Sequence, residues 1–186
     1  KRLMSAQLFM DPKQYQVMVD IETLSTRGNA AILSIGATKF NIETGVIDTY
    51  YQNIDASTAK KYDRHIDKGT IEWWSKQNKH ALKQLMVDTM PFEKAINEFR
   101  EWYGDKSIPI WGNSAGFDVQ ILESAMYSIG YEKPPWKYWH IHCFKTATNL
   151  VGVSNSKIRA TEDDTHHNAL DDAISQTNTL VKILRT

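Results

Sequence analysis

The chain has only one cysteine, Cys143, so it cannot form an internal disulfide, and a reducing compartment is expected. No apolar run approaches the roughly 20 residues that a membrane-spanning helix needs. Residues 1–10 lack the apolar centre of a signal peptide. We therefore expect a cytoplasmic protein without a membrane partner.

The chain also lacks an excess of charge of either sign, since 22 basic residues balance 22 acidic ones. This balance argues against strong non-specific attraction to nucleic acid through overall charge, although a local basic rim remains compatible with it. The 186 residues, 41% of them hydrophobic, suffice for one globular core. We expect an N-terminal extension over residues 1–15, part of it not native, and a single domain over residues 16–186. The sequence leaves open whether this domain forms a homodimer.

Apolar runs at 17–21, 31–40 and 46–54 predict three strands, and the short turns between them indicate an antiparallel meander. Two further apolar segments, at 108–111 and 139–143, predict short strands. Helical patterns surround these two strands, and the helix carrying two tryptophans is predicted to begin at an N-cap Thr70. The order predicts an α/β fold with a mixed five-stranded sheet, three antiparallel strands followed by parallel ones, flanked by helices.

Two carboxylates, Asp20 and Glu22, end the first predicted strand. Side chains alternate along a strand, so both carboxylates project from the same face. Like charges at the edge of a core are unfavourable unless a cation neutralises them, and oxygen ligands suit Mg²⁺ or Mn²⁺. By itself the pair is also compatible with a strand end and a solvated loop, so further ligands are needed to support a metal site.

Two other segments supply candidate ligands. Asp118 follows a strand and a loop of small residues, where it could also be a simple helix-capping acid. In the second segment a polar loop delivers His167, and Asp172 follows within the first turns of a helix. A base on a loop and a metal ligand on a rigid helix are a suitable division of roles, because the helix holds geometry while the loop closes on substrate.

These three segments resemble a known family. Asp20-Ile21-Glu22, the stretch 113–118 and the stretch 167–172 occur in the order and spacing of the DEDDh (DnaQ-like, proofreading-type) 3′–5′ exonucleases, which have a ribonuclease H-like fold. The stretch Thr70-Ile71-Glu72-Trp73-Trp74 is similar to the phage and prophage branch of exodeoxyribonuclease VIII-like or exonuclease A-like enzymes. Ribonuclease AS is a relative of that branch.

The resemblance implies a role for each matching residue. Asp20, Glu22, Asp118 and Asp172 would hold two divalent cations, Mg²⁺ or Mn²⁺, and His167 would be the general base that deprotonates water. The expected reaction removes 5′-mononucleotides from the 3′ end of DNA. An exoribonuclease of the same chemistry is the nearest alternative, and a non-cleaving module that binds nucleic-acid ends is an alternative of a different class.

The doubled residues of the third segment allow two assignments. His166 with Asp171 has the same spacing as His167 with Asp172. The family pattern places alanine directly after the aspartate, and Ala173 follows the second aspartate. The later pair is therefore assigned to the site.

The residues that hold the substrate are less strongly indicated. Thr23 and Leu24 match positions that, in the family, touch the terminal sugar and wedge against its base, and Asn113 is a candidate polar contact. Trp73 and Trp74 are 100° apart around a helix, so they cannot have the same role. One of them stacks on a nucleobase, or one fills the core and the other covers it, and the sequence leaves both interpretations open.

Overall fold

The computed structural model describes residues 11–77, 79–104, 106–153 and 168–185. Within them, one sheet of six strands has the order β4-β3-β2-β1-β5-β6. The strands are β1 (Gln16–Thr23), β2 (Ile32–Asn41), β3 (Gly45–Asp55), β4 (Thr89–Pro91), β5 (Ile110–Gly112) and β6 (Ile141–Cys143).

The predicted α/β class with a mixed sheet is confirmed, but the sheet has one strand more than the five predicted. The additional strand is β4, which pairs with β3 at the edge of the sheet. It has three residues and ends in Pro91, so it is too short to produce an alternating pattern, and a proline is tolerated because the strand is at an edge.

The strands run in directions that bring their carboxyl ends together. β2 is antiparallel to β1 and β3, whereas β5 pairs in parallel with β1, β6 with β5, and β4 with β3. Every strand except β2 therefore points the same way, and the loops that follow these strands share one edge of the sheet. In open α/β sheets, ligands bind outside the carboxyl ends of the strands.

Helices cover both faces of the sheet. They are α1 (Lys68–Ser75), α2 (Lys79–Gln84), α3 (Phe92–Tyr103), α4 (Asp118–Ser128), α5 (Phe144–Leu150) and α6 (Ala169–Leu184), with short 3₁₀ helices at Ala56–Tyr62 and Tyr138–His140. Val17 and Val19 of β1 belong to the core formed with α3 and α4, and Met18 belongs to the core formed with α5 and α6. Because side chains alternate, Asp20 and Glu22 project on the side of α6. No helix in the described parts of the chain is long and apolar enough to cross a membrane.

The start of α1 differs from the sequence prediction. Asp67 is the N-cap, and its Oδ2 accepts hydrogen bonds from the backbone N–H of Thr70 at 2.8 Å and from the Thr70 hydroxyl at 3.1 Å. Thr70 therefore lies inside the helix. The prediction was wrong because Lys68 and Gly69 form a polar first turn, so the apolar pattern starts only after the helix has begun.

Candidate active site

Three carboxylates converge at the carboxyl edge of the sheet. Asp20 and Glu22 come from β1, and Asp172 comes from the first turns of α6. One oxygen from each lies within 4.8 Å of the other two. Asp20 is buried, whereas Glu22 and Asp172 are half-buried, so the cluster opens towards solvent on one side. The structure thus brings together three of the four acids predicted to bind metal, and their role as ligands stays a prediction.

The start of α6 is held by its cap. Asn168 is the N-cap, and its Oδ1 accepts hydrogen bonds from the backbone N–H groups of Leu170 at 3.0 Å and Asp171 at 3.2 Å. Asp172 then lies on the side that faces the sheet, while Asp171 is exposed. The two adjacent aspartates are thus separated by the helix into a cluster residue and a surface residue.

Asp118 lies beside this cluster and is tied to the backbone on both sides. It begins α4 and is 3% exposed. Its Oδ2 accepts from the N–H of Ser114 at 3.0 Å, and its Oδ1 accepts from the N–H of Ile21 at 3.4 Å. A Cβ on Gly112 would lie 3.1 Å from Oδ2, so a glycine at this position leaves room for the carboxylate. Asp118 therefore joins the loop after β5 to the strand that carries the cluster.

Burial raises the pKa of three of these acids, and the charges of neighbouring carboxylates add to this effect at Asp20 and Glu22. Burial, followed by the negative charges of its neighbours, raises the pKa of Asp20 well above its ordinary value. Burial and then the charges of Asp172 and Asp118 raise the pKa of Glu22 to about 8. Burial raises the pKa of Asp118 to about 6, although its backbone hydrogen bonds oppose the change. Such a cluster is stable when protonated or when a cation neutralises it.

The donor set fits a divalent cation. Carboxylate oxygens are the ligands that Mg²⁺ and Mn²⁺ prefer, and three of them lie close enough to share an ion. The geometry does not select between the two metals.

Two residues that sequence reasoning did not identify contact this site. Gln176 of α6 donates a hydrogen bond from Nε2 to Asp20 Oδ1 at 2.8 Å. Lys145 is exposed at the start of α5, its backbone N–H donates to Asn113 O at 3.1 Å, and its positive charge lowers the pKa of Asp118. Two signals could have indicated them: Gln176 comes one helical turn after the last acid, and Lys145 is the second residue after the carboxyl end of a strand pattern.

A cavity of about 490 Å³ adjoins Glu22 and is also lined by Thr23, Phe117 and both tryptophans of α1. Trp74 is buried, and its Nε1 donates to Thr23 O at 2.9 Å. Trp73 is 44% exposed and packs edge-to-face on Trp74, with 5.1 Å between ring centroids. Both side chains therefore line the cavity, but Trp74 is buried there whereas Trp73 is partly exposed to solvent.

The other predicted substrate contacts, Thr23, Leu24 and Asn113, lie near the carboxyl edge of the sheet, and each has contacts within the protein. The Thr23 hydroxyl donates to Ser25 O at 2.7 Å, so this side chain stabilises its own loop. Leu24 is half-buried, and its backbone pairs with Ala31 and Asp67. Asn113 is half-buried next to Lys145. Contacts of these residues with a substrate stay predictions, as do the roles of the four acids.

His166 and His167 lie outside the described residues. The assignment of His167 as general base stays a prediction from the resemblance.

Solved structures with the same fold include nucleases. Escherichia coli exonuclease I in complex with a dT13 oligonucleotide superposes with a TM-score of 0.71 at 13% identity, over 94% of this chain and 41% of that one. Cell-death related nuclease 4 superposes with a TM-score of 0.58 at 12% identity, over 94% of this chain and 64% of that one. The chain thus spans about two fifths of the length of exonuclease I. At these identities the likeness establishes the fold, and the predicted ribonuclease H-like fold is confirmed.

Sequence comparison adds a relative and a family. The exodeoxyribonuclease of Enterobacteria phage T4 is 21% identical over 158 residues, which are 71% of this chain and 70% of the phage protein. The profile of the 3′–5′ exoribonuclease Rv2179c-like domain matches residues 15–184. This match confirms the prediction of a 3′–5′ exonuclease at the level of the family. The chain belongs to the family of 3′–5′ exoribonuclease Rv2179c-like domains.

Proposed function

We propose that this domain hydrolyses phosphodiester bonds from the 3′ ends of DNA and releases 5′-mononucleotides. The observation that carries the proposal is the cluster of Asp20, Glu22 and Asp172, with one oxygen of each within 4.8 Å of the others and Asp118 beside them. The relationship to an exodeoxyribonuclease of phage T4 and the DNA bound to exonuclease I support DNA as the substrate.

In the proposed site, Asp20, Glu22, Asp118 and Asp172 hold two divalent cations, either Mg²⁺ or Mn²⁺. When bound, such cations neutralise charge on the phosphate in the transition state and make water a better nucleophile. The backbone N–H groups of Ile21 and Ser114 donate to the Asp118 carboxylate and hold it in place. Its negative charge would contribute to cation binding from the side of β5.

His167 is proposed to take the proton from the attacking water. Its unperturbed pKa of about 6.5 lies near a neutral working pH, which suits a general base. In sequence it directly precedes Asn168, the N-cap of α6, so the base and Asp172 are on the same short stretch of chain.

The terminal nucleoside is proposed to occupy the cavity beside Glu22. The exposed Trp73 stacks on the base, which is worth ~1–3 kcal/mol for an aromatic side chain against a nucleobase. Trp74 holds the cavity wall through its hydrogen bond to Thr23 O. Leu24 and Asn113 complete the contacts to the nucleotide, and the exposed ammonium of Lys145 pairs with a backbone phosphate.

RNA is a second candidate substrate, because the family profile that matches this chain is that of an exoribonuclease domain. A 2′-hydroxyl is the group by which a protein distinguishes the two nucleic acids. In this domain it would be read in the cavity that Thr23 and Trp73 line.

A digestion series tests the proposal. Single- and double-stranded DNA and RNA, labelled at the 5′ end, are incubated with Mg²⁺, Mn²⁺ or EDTA. The expected result is a cation-dependent ladder that shortens from the 3′ end of DNA and is absent with Asp172→Asn. Digestion of RNA alone would transfer the proposal to the second candidate. Binding of ends without cleavage, by folded protein supplied with cations, would overturn it in favour of an end-binding module.

A further inference from the structure

Gln176 is a polar residue at a buried position of α6, where it is flanked along the helix face by apolar residues. It is 7% exposed and lies on α6 one turn after Asp172, so both side chains share one face of the helix. Ala173 and Leu180, which flank it on that face, are fully buried apolar residues. Packing alone would therefore favour an apolar residue at position 176.

The nitrogen and the oxygen of the Gln176 amide differ in their hydrogen bonding. Nε2 donates to Asp20 Oδ1 at 2.8 Å, whereas Oε1 is buried and accepts no hydrogen bond from any residue that the structure describes. A buried polar atom without a partner is unfavourable, so its presence needs a cause. The contact that distinguishes this amide is its hydrogen bond to the buried carboxylate of Asp20.

We propose that Gln176 is a positioning residue for Asp20 in the proposed cation site. Its hydrogen bond holds Oδ1 and so fixes the rotation of the Asp20 carboxylate before a cation binds. The inference rests on the proposed function, because it assigns Gln176 a role through Asp20 as a ligand. Residues that orient metal ligands change metal affinity by about 10–100-fold when they are replaced.

The chain offers a matched control in Gln16. It is also a buried glutamine on the α6 side of β1, and its Oε1 accepts from Trp111 Nε1 at 2.7 Å, while its Nε2 has no hydrogen-bond partner among the described residues. None of its hydrogen bonds in the structure involves a carboxylate. Methionine has a side chain of similar length to glutamine, so each replacement removes a buried amide with little change in size. Only Gln176→Met removes a hydrogen bond to Asp20.

The experiment is a titration of the full chain with Mn²⁺ by isothermal calorimetry, alongside thermal unfolding of each metal-free variant. Gln176→Met should bind Mn²⁺ at least about tenfold more weakly than the wild type, whereas Gln16→Met should bind normally even where its melting temperature falls equally. Gln176→Asn keeps the amide but shortens its reach, and it should show the same loss.

Wild-type affinity in both Gln176 variants would overturn the inference and leave the proposed function standing. An equal loss of affinity in Gln16→Met would overturn it too, since the effect would then be one of general packing. Absence of Mn²⁺ binding by the wild type would instead refute the proposed cation site, and the inference with it.

Discussion

Gly36 of β2 lies directly against Ala169, the first residue of α6. A Cβ at position 36 would lie 2.1 Å from the carbonyl carbon of Ala169, far inside van der Waals contact. Gly36 is also the partner of Asp20 in the β1–β2 pairing, and Asp172 follows Ala169 by three residues. The absence of a side chain at one position of β2 therefore sets how closely the acid of α6 approaches the acids of β1.

The Gly36→Ala substitution should displace α6 and separate Asp172 from the β1 acids. Overpacking of this kind costs about 1–3 kcal/mol in unfolding free energy, and we expect Mn²⁺ affinity and nuclease activity to fall together. Urea denaturation and calorimetric titration measure the two effects. Gly116→Ala is the control for stability, because a Cβ there meets no atom within 4 Å. A folded Gly36→Ala protein with wild-type cation affinity would contradict the prediction.

The stability of the folded protein should depend on pH, and divalent cations should reduce this dependence. The pKa of Glu22 is raised from 4.5 to about 8, so the protonated carboxyl favours the folded state at low pH, and this contribution is lost as pH rises towards 8. In EDTA the melting temperature should therefore fall between about pH 5 and pH 8. Mg²⁺ or Mn²⁺ should raise it more at pH 8 than at pH 6, as measured by differential scanning fluorimetry.

A pair of variants checks the cause of this pH dependence. Asp172→Asn removes a charge that raises the pKa of Glu22, so this variant should be more stable than the wild type in EDTA at pH 8 and respond less to cations. Asp171→Asn alters the exposed neighbour and should behave like the wild type. An identical response of the two variants would show that the carboxylate cluster is not the source.

Replacing the two tryptophans of α1 should have different effects, one on DNA affinity and the other on stability. Trp73→Leu should weaken binding of single-stranded DNA by ~1–3 kcal/mol, because a stacking surface is lost, and should leave stability nearly unchanged. Trp74→Leu should lower stability, since it removes buried area and the hydrogen bond to Thr23 O. Fluorescence anisotropy and urea denaturation separate the two effects. Unchanged DNA affinity in both variants would refute stacking.

The adjacent histidines should have unequal roles. His167→Ala should lose activity at neutral pH, because the general base is removed, while His166→Ala should remain active. Initial rates on a labelled oligonucleotide with saturating Mn²⁺ measure this, and Mn²⁺ affinity serves as the control for an intact cation site. Loss of activity in His166→Ala with activity retained in His167→Ala would reverse the assignment.

Lys145 should contribute one phosphate contact. Lys145→Met should weaken DNA binding, and the salt dependence of the binding constant should become shallower by about 0.7 in log–log slope, the value for one contact on a single strand. Lys133, exposed in the loop after α4, is the control, and Lys133→Met should change neither quantity. An unaltered salt slope in Lys145→Met would show that this lysine does not contact phosphate.

Some features of the site could be predicted from the sequence because they depend on local geometry. The two-residue period of a strand places Asp20 and Glu22 on the same face, whatever packs against it. The helical spacing of Phe92, Ile96 and Phe99 likewise places these three residues on the buried face of α3. The N-cap of α1 was predicted at Thr70 instead of Asp67, and the short strand β4 was not predicted, since each depends on few residues without an apolar pattern.

Other features depend on contacts between distant parts of the chain. Sequence alone determined the order of the acids, the shared face of Asp20 and Glu22, and the chemistry that the acids allow. The tertiary structure decided that Asp172 reaches Asp20 across 152 residues, that Gln176 rather than another side chain holds Asp20, and that Trp74 is buried while Trp73 is exposed. The reason is physical: periodicity sets the direction of a side chain from its own backbone, but the distance between two elements is set by their packing, here by the missing side chain of Gly36.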